Sequence, residues 1–295
     1  MTRISRGWAL SKQSWQVVRA DRSLLVFPVL SAACGLVAAL VFFGAGAGIY
    51  AATNATAAAV PFVVIGLYVL TYLAIYFGVA LTACATRALD GEDTTVAEGL
   101  AAARERRGVI ASWAGVQLVV GALISMLQAL LRESAGGLVS SIFGGLANFA
   151  WTVASFFVVP IIALEGLGPK AALERSGSII KQHWGEGATG AISIGGLVML
   201  VGFLPAVGLG VLAAVAAPSS VPLAVALGVL AVVVLVVAAL VQTAMMAVFK
   251  VALFRFATEQ LVLGGFSQTD LEEAFATKGG GRYLPPSPGA GAGMI

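Results

Sequence analysis

The sequence predicts an all-α integral membrane fold: six transmembrane helices in three parallel repeats, each preceded by a basic amphipathic interfacial helix. Three observations predict it. The 295-residue chain is 59% hydrophobic and only 11% charged, well below the roughly 25% charged of a soluble domain. It holds six apolar runs long enough to cross a hydrocarbon core about 30 Å thick. A basic amphipathic segment also recurs before each pair of runs, which sets an internal period. The copies are marked by Ser14-Trp15-Gln16-Val17-Val18-Arg19, Gly99-Leu100-Ala101-Ala102-Ala103-Arg104 and Ser176-Gly177-Ser178-Ile179-Ile180-Lys181. Backbone groups in lipid must bond within their own segment, and no long alternating pattern suggests a barrel, so the runs are helices.

In the first repeat, about residues 1–90, Ile4, Trp8, Ser11, Trp15 and Val18 recur at three- and four-residue intervals and make one apolar stripe. Arg6, Lys12, Arg19 and Arg22 fall largely off that stripe. Such a helix lies in the membrane interface with its Trp rings at headgroup level and its cations towards anionic lipid. The spans Leu24–Tyr50 and Val60–Ala85 follow. Ser31-Ala32-Ala33-Cys34 faintly resembles a lipoprotein cleavage site, but Ser stands three positions before the cysteine and the arm ahead is amphipathic. Residues 24–50 are therefore expected to be a retained first span. Cys34 and Cys84 both fall inside spans and are expected to pack as small apolar residues.

The second repeat, about 91–166, opens on Thr95-Val96-Ala97-Glu98, the Thr-x-x-Glu spacing of a capping box. Its surface segment, Thr94–Arg107, is poorer in large apolar side chains but ends in Arg104-Glu105-Arg106-Arg107. Spans Val109–Leu131 and Ser141–Leu164 follow. In the third repeat, about 167–267, Leu173, Gly177, Ile180 and Trp184 form the stripe, flanked by Arg175 and Lys181, before spans Ala188–Ala217 and Pro222–Phe249. Leu271–Lys278 reads as a short fourth surface helix, about 268–278, and closes a single membrane domain of residues 1–278. The tail 279–295, with Pro285-Pro286-Ser287-Pro288, has no apolar period and is expected to be disordered. Pro28, Pro160 and Pro205 are expected to kink or loosen spans one, four and five.

Charge sets the orientation. Of the 17 Lys and Arg residues, Arg132 alone falls in a connection on the far side; the rest precede span one, separate spans two and three or four and five, or follow span six. The positive-inside rule makes the rich side cytoplasmic, with both termini there. The far connections, Ala51–Ala59, Arg132–Ser140 and about 218–221, are too short to fold into a catalytic domain.

The ends of the even-numbered spans repeat in detail. Phe77-Gly78-Val79-Ala80-Leu81 is followed by Ala85-Thr86, Phe249-Lys250-Val251-Ala252-Leu253 by Ala257-Thr258, and Phe157-Val158-Val159 is a weaker copy. Each repeat places its basic helix on the same side, which argues mildly against the inverted repeats common among secondary transporters.

Arg6-Gly7-Trp8-Ala9-Leu10-Ser11-Lys12 through Ser23-Leu24-Leu25-Val26-Phe27-Pro28 resembles the opening of a bacterial and archaeal membrane-protein family of unknown function. Leu89 to Val96, and Glu165-Gly166-Leu167-Gly168-Pro169 to Trp184-Gly185-Glu186, resemble further segments of it. The resemblance implies a six-span protein of a prokaryotic cytoplasmic membrane and no mechanism. A looser similarity links Ala172-Leu173 to Trp184 with the membrane region of some glycerophosphodiester phosphodiesterases. The usual Ser-Trp there is Ser176-Gly177 in this chain, and no catalytic domain accompanies it.

No catalytic constellation can be named. His183 is the single histidine, which excludes a multi-histidine metal site within the chain, and the Gly-rich run Gly44–Gly48 lacks a following Gly-Lys-Ser/Thr. No catalytic residue, cofactor, metal or nucleic-acid partner is expected. Gly44/Gly48 and Gly187/Ala191/Gly195 have small-x-x-x-small spacing, expected to pack helices within the chain, with homo-oligomerisation or a membrane partner protein as the alternative. Three groups of site residues follow. Trp8, Lys12, Trp15, Arg19, Arg22, Arg104, Arg107, Arg175, Lys181 and Trp184 form an interface for anionic lipid headgroups. Gln117, Asn148 and Gln242 would line any intramembrane polar cavity. Glu165 and Lys250 would close its inner end, although a lysine that follows an apolar run about 43 Å long as a helix also suits simple snorkelling to the interface.

The first functional expectation is a non-enzymatic membrane protein that organises lipid or a partner through its basic cytoplasmic belt. The alternative is a permease for a small neutral or lipid-like substrate, which needs a continuous polar cavity. A lipid enzyme comes last and would need Glu165, Asp90 and His183 to cluster.

Overall fold

The structure is a computed structural model and describes residue 12, residues 14–183 and residues 204–259. Among these the chain is all helical, without strands. Residues 14–20 form α1, and a 3-10 turn, Arg22–Leu25, leads into α2, Val26–Thr53. There follow α3 (Thr56–Leu89), α4 (Val96–Glu105), α5 (Arg107–Ala135), α6 (Gly137–Ala154), α7 (Val158–Leu164), α8 (Pro169–His183), α9 (Leu204–Ala216) and α10 (Val221–Glu259). Five segments among the described residues are long and apolar enough to cross a membrane: Arg22–Thr53, Thr56–Leu89, Arg107–Ser134, Gly137–Leu164 and Val221–Glu259. The expected fifth span is described only from Leu204, as the shorter apolar helix α9. Trp8, Trp184, the C-terminal surface helix and the tail lie outside the described residues.

Two of the three far connections are shorter than the sequence suggests. Asn54, in the left-handed region at φ 51°, caps α2, and α3 starts two residues later. Gly136, at φ 86°, alone separates α5 from α6. α2–α3, α5–α6 and α9–α10 are thus three tight hairpins, each packed along its own length.

Among the described residues, most of the buried core gathers at one end of the hairpins. There α1, α4 and α8 lie, with most of the chain's cations, and it is called the basic end below. Leu24, Phe27, Ile110, Trp113, Phe157, Ile161, Ile179, Phe249 and Leu253 are fully buried in its core. α3 is the hub, in contact with α2, α4, α5, α7 and α10. Away from the basic end, three close approaches are within hairpins: Gly46 meets Phe62, Gly66 meets Phe42 and Phe43, and Gly144 meets Gln128. No residue of α10 from 221 to 243 is buried. Burial of apolar surface does not drive helix association in lipid, so exposed apolar outer halves suit a bilayer and would be untenable in water.

Three local expectations change. Pro28 sits in the first turn of α2, where its missing N–H costs no helix bond, so it marks a start rather than a kink. Gly44 and Gly48 are exposed with open space at their Cα atoms; Gly46 makes the close approach to α3 instead. Cys34 is exposed on the outer surface, while Cys84 is buried. Pro160 acts as expected: it removes a bond from the turn before it, and span four breaks at residues 155–157 between α6 and α7.

Candidate functional site

The basic end is built by short helices that cross the ends of the spans. α4 begins in the capping box its sequence announces: the Thr95 N–H donates to Glu98 Oε2 at 2.9 Å, and the Glu98 N–H donates to Thr95 Oγ1 at 3.3 Å. Arg87, in the last turn of α3, pairs with Glu98 at 2.9 Å and Glu92 at 2.8 Å. The Arg87 guanidinium, and after it the Thr95 N–H, hold the Glu98 carboxyl down at about 2 against an ordinary 4.5. A depressed carboxylate contributes its stabilisation above the unfolded value and loses it as pH falls through the folded one. The capping box should therefore persist through pH 4.5 and open only towards pH 2. A carboxyl-carbon NMR titration in detergent checks this, and a Glu98 midpoint near 4.5 contradicts it.

The register of the three markers explains how the short helices dock. Ser14, Gly99 and Ser176 open the three copies, and all three are buried. A Cβ on Gly99 would lie 2.5 Å from Phe27 Cζ, 2.7 Å from Cys84 Sγ and 2.9 Å from the Ala80 carbonyl oxygen, so only glycine lets α4 approach α3 this closely. Ser176 Oγ donates to the Ala154 carbonyl at 2.7 Å and accepts from the Phe157 N–H at 3.2 Å, stitching α8 across the break in span four. Ser14, 1% exposed, is the one side chain among the described residues whose buried polar atom has no hydrogen-bond partner.

Further ties close the basic end. The Thr94 hydroxyl donates to Asp21, whose other oxygen accepts from the Ser23 N–H, joining the N-terminal segment to the start of α4. Arg106 lies against Gly166, which turns the chain from α7 to α8 at φ 67°. Nη1 of Arg255 on α10 contacts both oxygens of Asp90 just after α3, at 2.6 and 2.8 Å, and Nε reaches Glu259 at 3.1 Å. These groups, with Glu165, Arg175, Thr86 and Thr258, line an open cleft of about 480 Å³. Thr86 and Thr258, matched in the sequence repeat, face this cleft together.

The expected interface residues divide by whether they have an ionic partner. Lys12, Trp15, Arg19, Arg22, Arg104, Arg107 and Lys181 are all exposed, Trp15 at 39%. Among the described residues, none of those six cations makes a salt bridge. Arg104 and Arg107 line a second open cleft, about 450 Å³, at the junction of α4 and α5. Arg175 is different, since its Nε sits 3.4 Å from Glu165 Oε1.

That pair corrects the expected inner closure. Glu165 is joined to Arg175, ten residues on across the α7–α8 turn, and not to Lys250. Lys250 Nζ stands 4.8 Å from the centre of the Phe156 ring. Two of the three residues expected to line a polar cavity are bonded to nearby groups among the described residues. Gln117 accepts from Trp151 Nε1 at 2.6 Å within the α5–α6 hairpin, and Asn148 is exposed and donates to the Gly144 carbonyl of its own helix at 2.8 Å. Gln242 is half-buried on α10. Sequence reasoning missed the Asp90–Arg255 pair and the Ser176 stitch. The shared register of Thr86 with Thr258, and of Ser14 with Ser176, was the available signal for both.

No curated protein and no solved structure matches the chain. A family of unknown function, DUF6159, matches residues 55–264. That stretch runs from the first hairpin turn through α10, so it takes in most of the bundle and all of the basic end except α1, the turn after it and the start of α2. The chain belongs to the family of unknown function DUF6159.

Proposed function

We propose that this multi-pass membrane protein binds and organises anionic lipid through its basic end, which faces the cytoplasm of a prokaryote with both termini. In this reading it has six spans in three parallel repeats, each led by an amphipathic interfacial helix, and it performs no catalysis. One observation carries the reading: six cations, Lys12 ahead of α1 and five more on α1, the turn after it, α4, α5 and α8, are exposed and have no ionic partner among the described residues. Exposed cations beside spanning helices sit at headgroup depth, where each contributes about 1 kcal/mol of attraction to an anionic surface. Trp15 beside them is the residue type that anchors at that depth.

A permease is the weaker reading. It needs a polar path, and the basic end is filled by Phe77, Phe157 and Phe249, all buried.

Native mass spectrometry of the detergent-solubilised protein, titrated with phosphatidylglycerol or phosphatidylcholine, tests the proposal. Phosphatidylglycerol should be retained selectively, and the triple change Arg19→Gln, Arg104→Gln, Lys181→Gln should remove that selectivity. Equal retention by both proteins would reduce the belt to a brace.

A further inference from the structure

Among the described residues, no carboxylate forms a salt bridge with the Lys250 ammonium. Lys250 sits in the last third of α10, with Phe249 and Val251 buried on either side and its ammonium over the face of Phe156, 4.8 Å from the ring centre. Three carboxylates of the basic end are committed elsewhere: Glu165 to Arg175, and Asp90 and Glu259 to Arg255. A ring face returns only part of what an ammonium loses on leaving water, and the remainder calls for a counter-anion. Lys250 keeps part of its surface exposed while Phe249 and Val251 beside it are buried.

The surface leading to Lys250 says what kind of anion fits. At helical spacing, its face of α10 continues away from the basic end through Met246, Thr243, Ala239, Val236 and Val232. The last four are exposed, and the Thr243 hydroxyl is already bonded to the Ala239 carbonyl at 2.8 Å. An uncharged track long enough for an alkyl chain thus runs to one cation. That is the complement of an amphiphile with an anionic head. A free inorganic anion would meet only the cation and none of the track.

We propose that Lys250 and the exposed apolar track of α10 form an intramembrane site for one anionic lipid, its phosphate on the ammonium and an acyl chain along Thr243, Ala239, Val236 and Val232. The site is separate from the surface belt. None of Arg19, Arg104 and Lys181 takes part, so either proposal can fail without the other.

Two measurements test it. In native mass spectrometry, Lys250→Met should lose one tightly held phosphatidylglycerol, with affinity weakened about tenfold or more as for a lost charge-assisted contact. Lys250→Arg, and the triple belt variant, should both keep it. In the unaltered protein, phosphatidylglycerol vesicles should slow acylation of the Lys250 amine by an amine-reactive ester relative to phosphatidylcholine vesicles, and inorganic phosphate should not. Retention of the same lipid by Lys250→Met would overturn the site, as would equal protection by inorganic phosphate or by phosphatidylcholine. The labelling experiment needs no variant, so a misfolded substitution cannot shelter the proposal.

Discussion

Gly99→Leu should be among the most damaging single changes in the chain, lowering stability by about 3 kcal/mol or more. Even the first added carbon would fall 2.5 to 2.9 Å from Phe27, Cys84 and Ala80. Phe27 is fully buried and has nowhere to swing, and the Ala80 atom is a helix carbonyl oxygen that cannot move without bending α3. The remaining carbons of leucine must then lift α4 off α3. Because Arg104 lies on α4, and Arg106 and Arg107 follow it, that displacement also disturbs the cationic surface. Thermal unfolding in detergent reads the effect. A Gly99→Leu protein as stable as the unaltered one would mean that α4 does not dock on α3 as described. At Gly108, where nothing lies within 4 Å of the added carbon, alanine should be tolerated.

Ser176→Ala comes second, with an expected loss of about 2 kcal/mol. The hydroxyl bonds to both sides of a break in a spanning helix, donating to Ala154 and accepting from Phe157, and it is completely buried. Alanine removes both bonds, and water has no access to replace them. Ser178→Ala, two residues on, serves as the control: Ser178 only accepts from Gln182 at the exposed surface of the same helix and should change stability by less than about 0.5 kcal/mol. Equal effects of the two substitutions in a denaturation series would contradict the stitch.

Long-range chemistry decided which parts of this molecule were readable in advance. Apolar runs legibly gave helices because backbone groups in lipid have no partner but their own segment. The capping box was legible because both its members lie within four residues, and the break in span four because proline removes a donor wherever it stands. Helix phase was harder to read. α2 is apolar all round, so nothing in its composition chooses Gly46 over Gly44 or Gly48 as the contact with α3. The same uniformity hid the exposure of Cys34.

Ion partners were illegible for a different reason. Glu165 and Lys250 both lie near the same ends of their spans, which made them a plausible pair. Glu165 instead takes Arg175, which the α7–α8 turn brings back alongside it. Asp90 and Arg255 are 165 residues apart, and only the fold joins them. Within the candidate site, the exposure of these cations was legible because their stripe pattern is local. Which of them keep a free charge was not, since that depends on where carboxylates from other elements arrive. Arg175 was grouped with Lys181 on sequence grounds, and Glu165 separates them.

That separation gives the most direct test of the account, which holds that unpartnered cations, and not positive charge as such, retain anionic lipid. The comparison is between two variants that remove the same charge. One carries Arg104→Gln with Lys181→Gln, both unpaired; the other carries Lys170→Gln with Arg175→Gln, both ion-paired in the structure. Phosphatidylglycerol affinity, measured by native mass spectrometry, should fall clearly in the first and stay near the unaltered value in the second. Equal loss in both would show that net charge alone attracts the lipid. No loss in either would contradict the lipid-binding function itself.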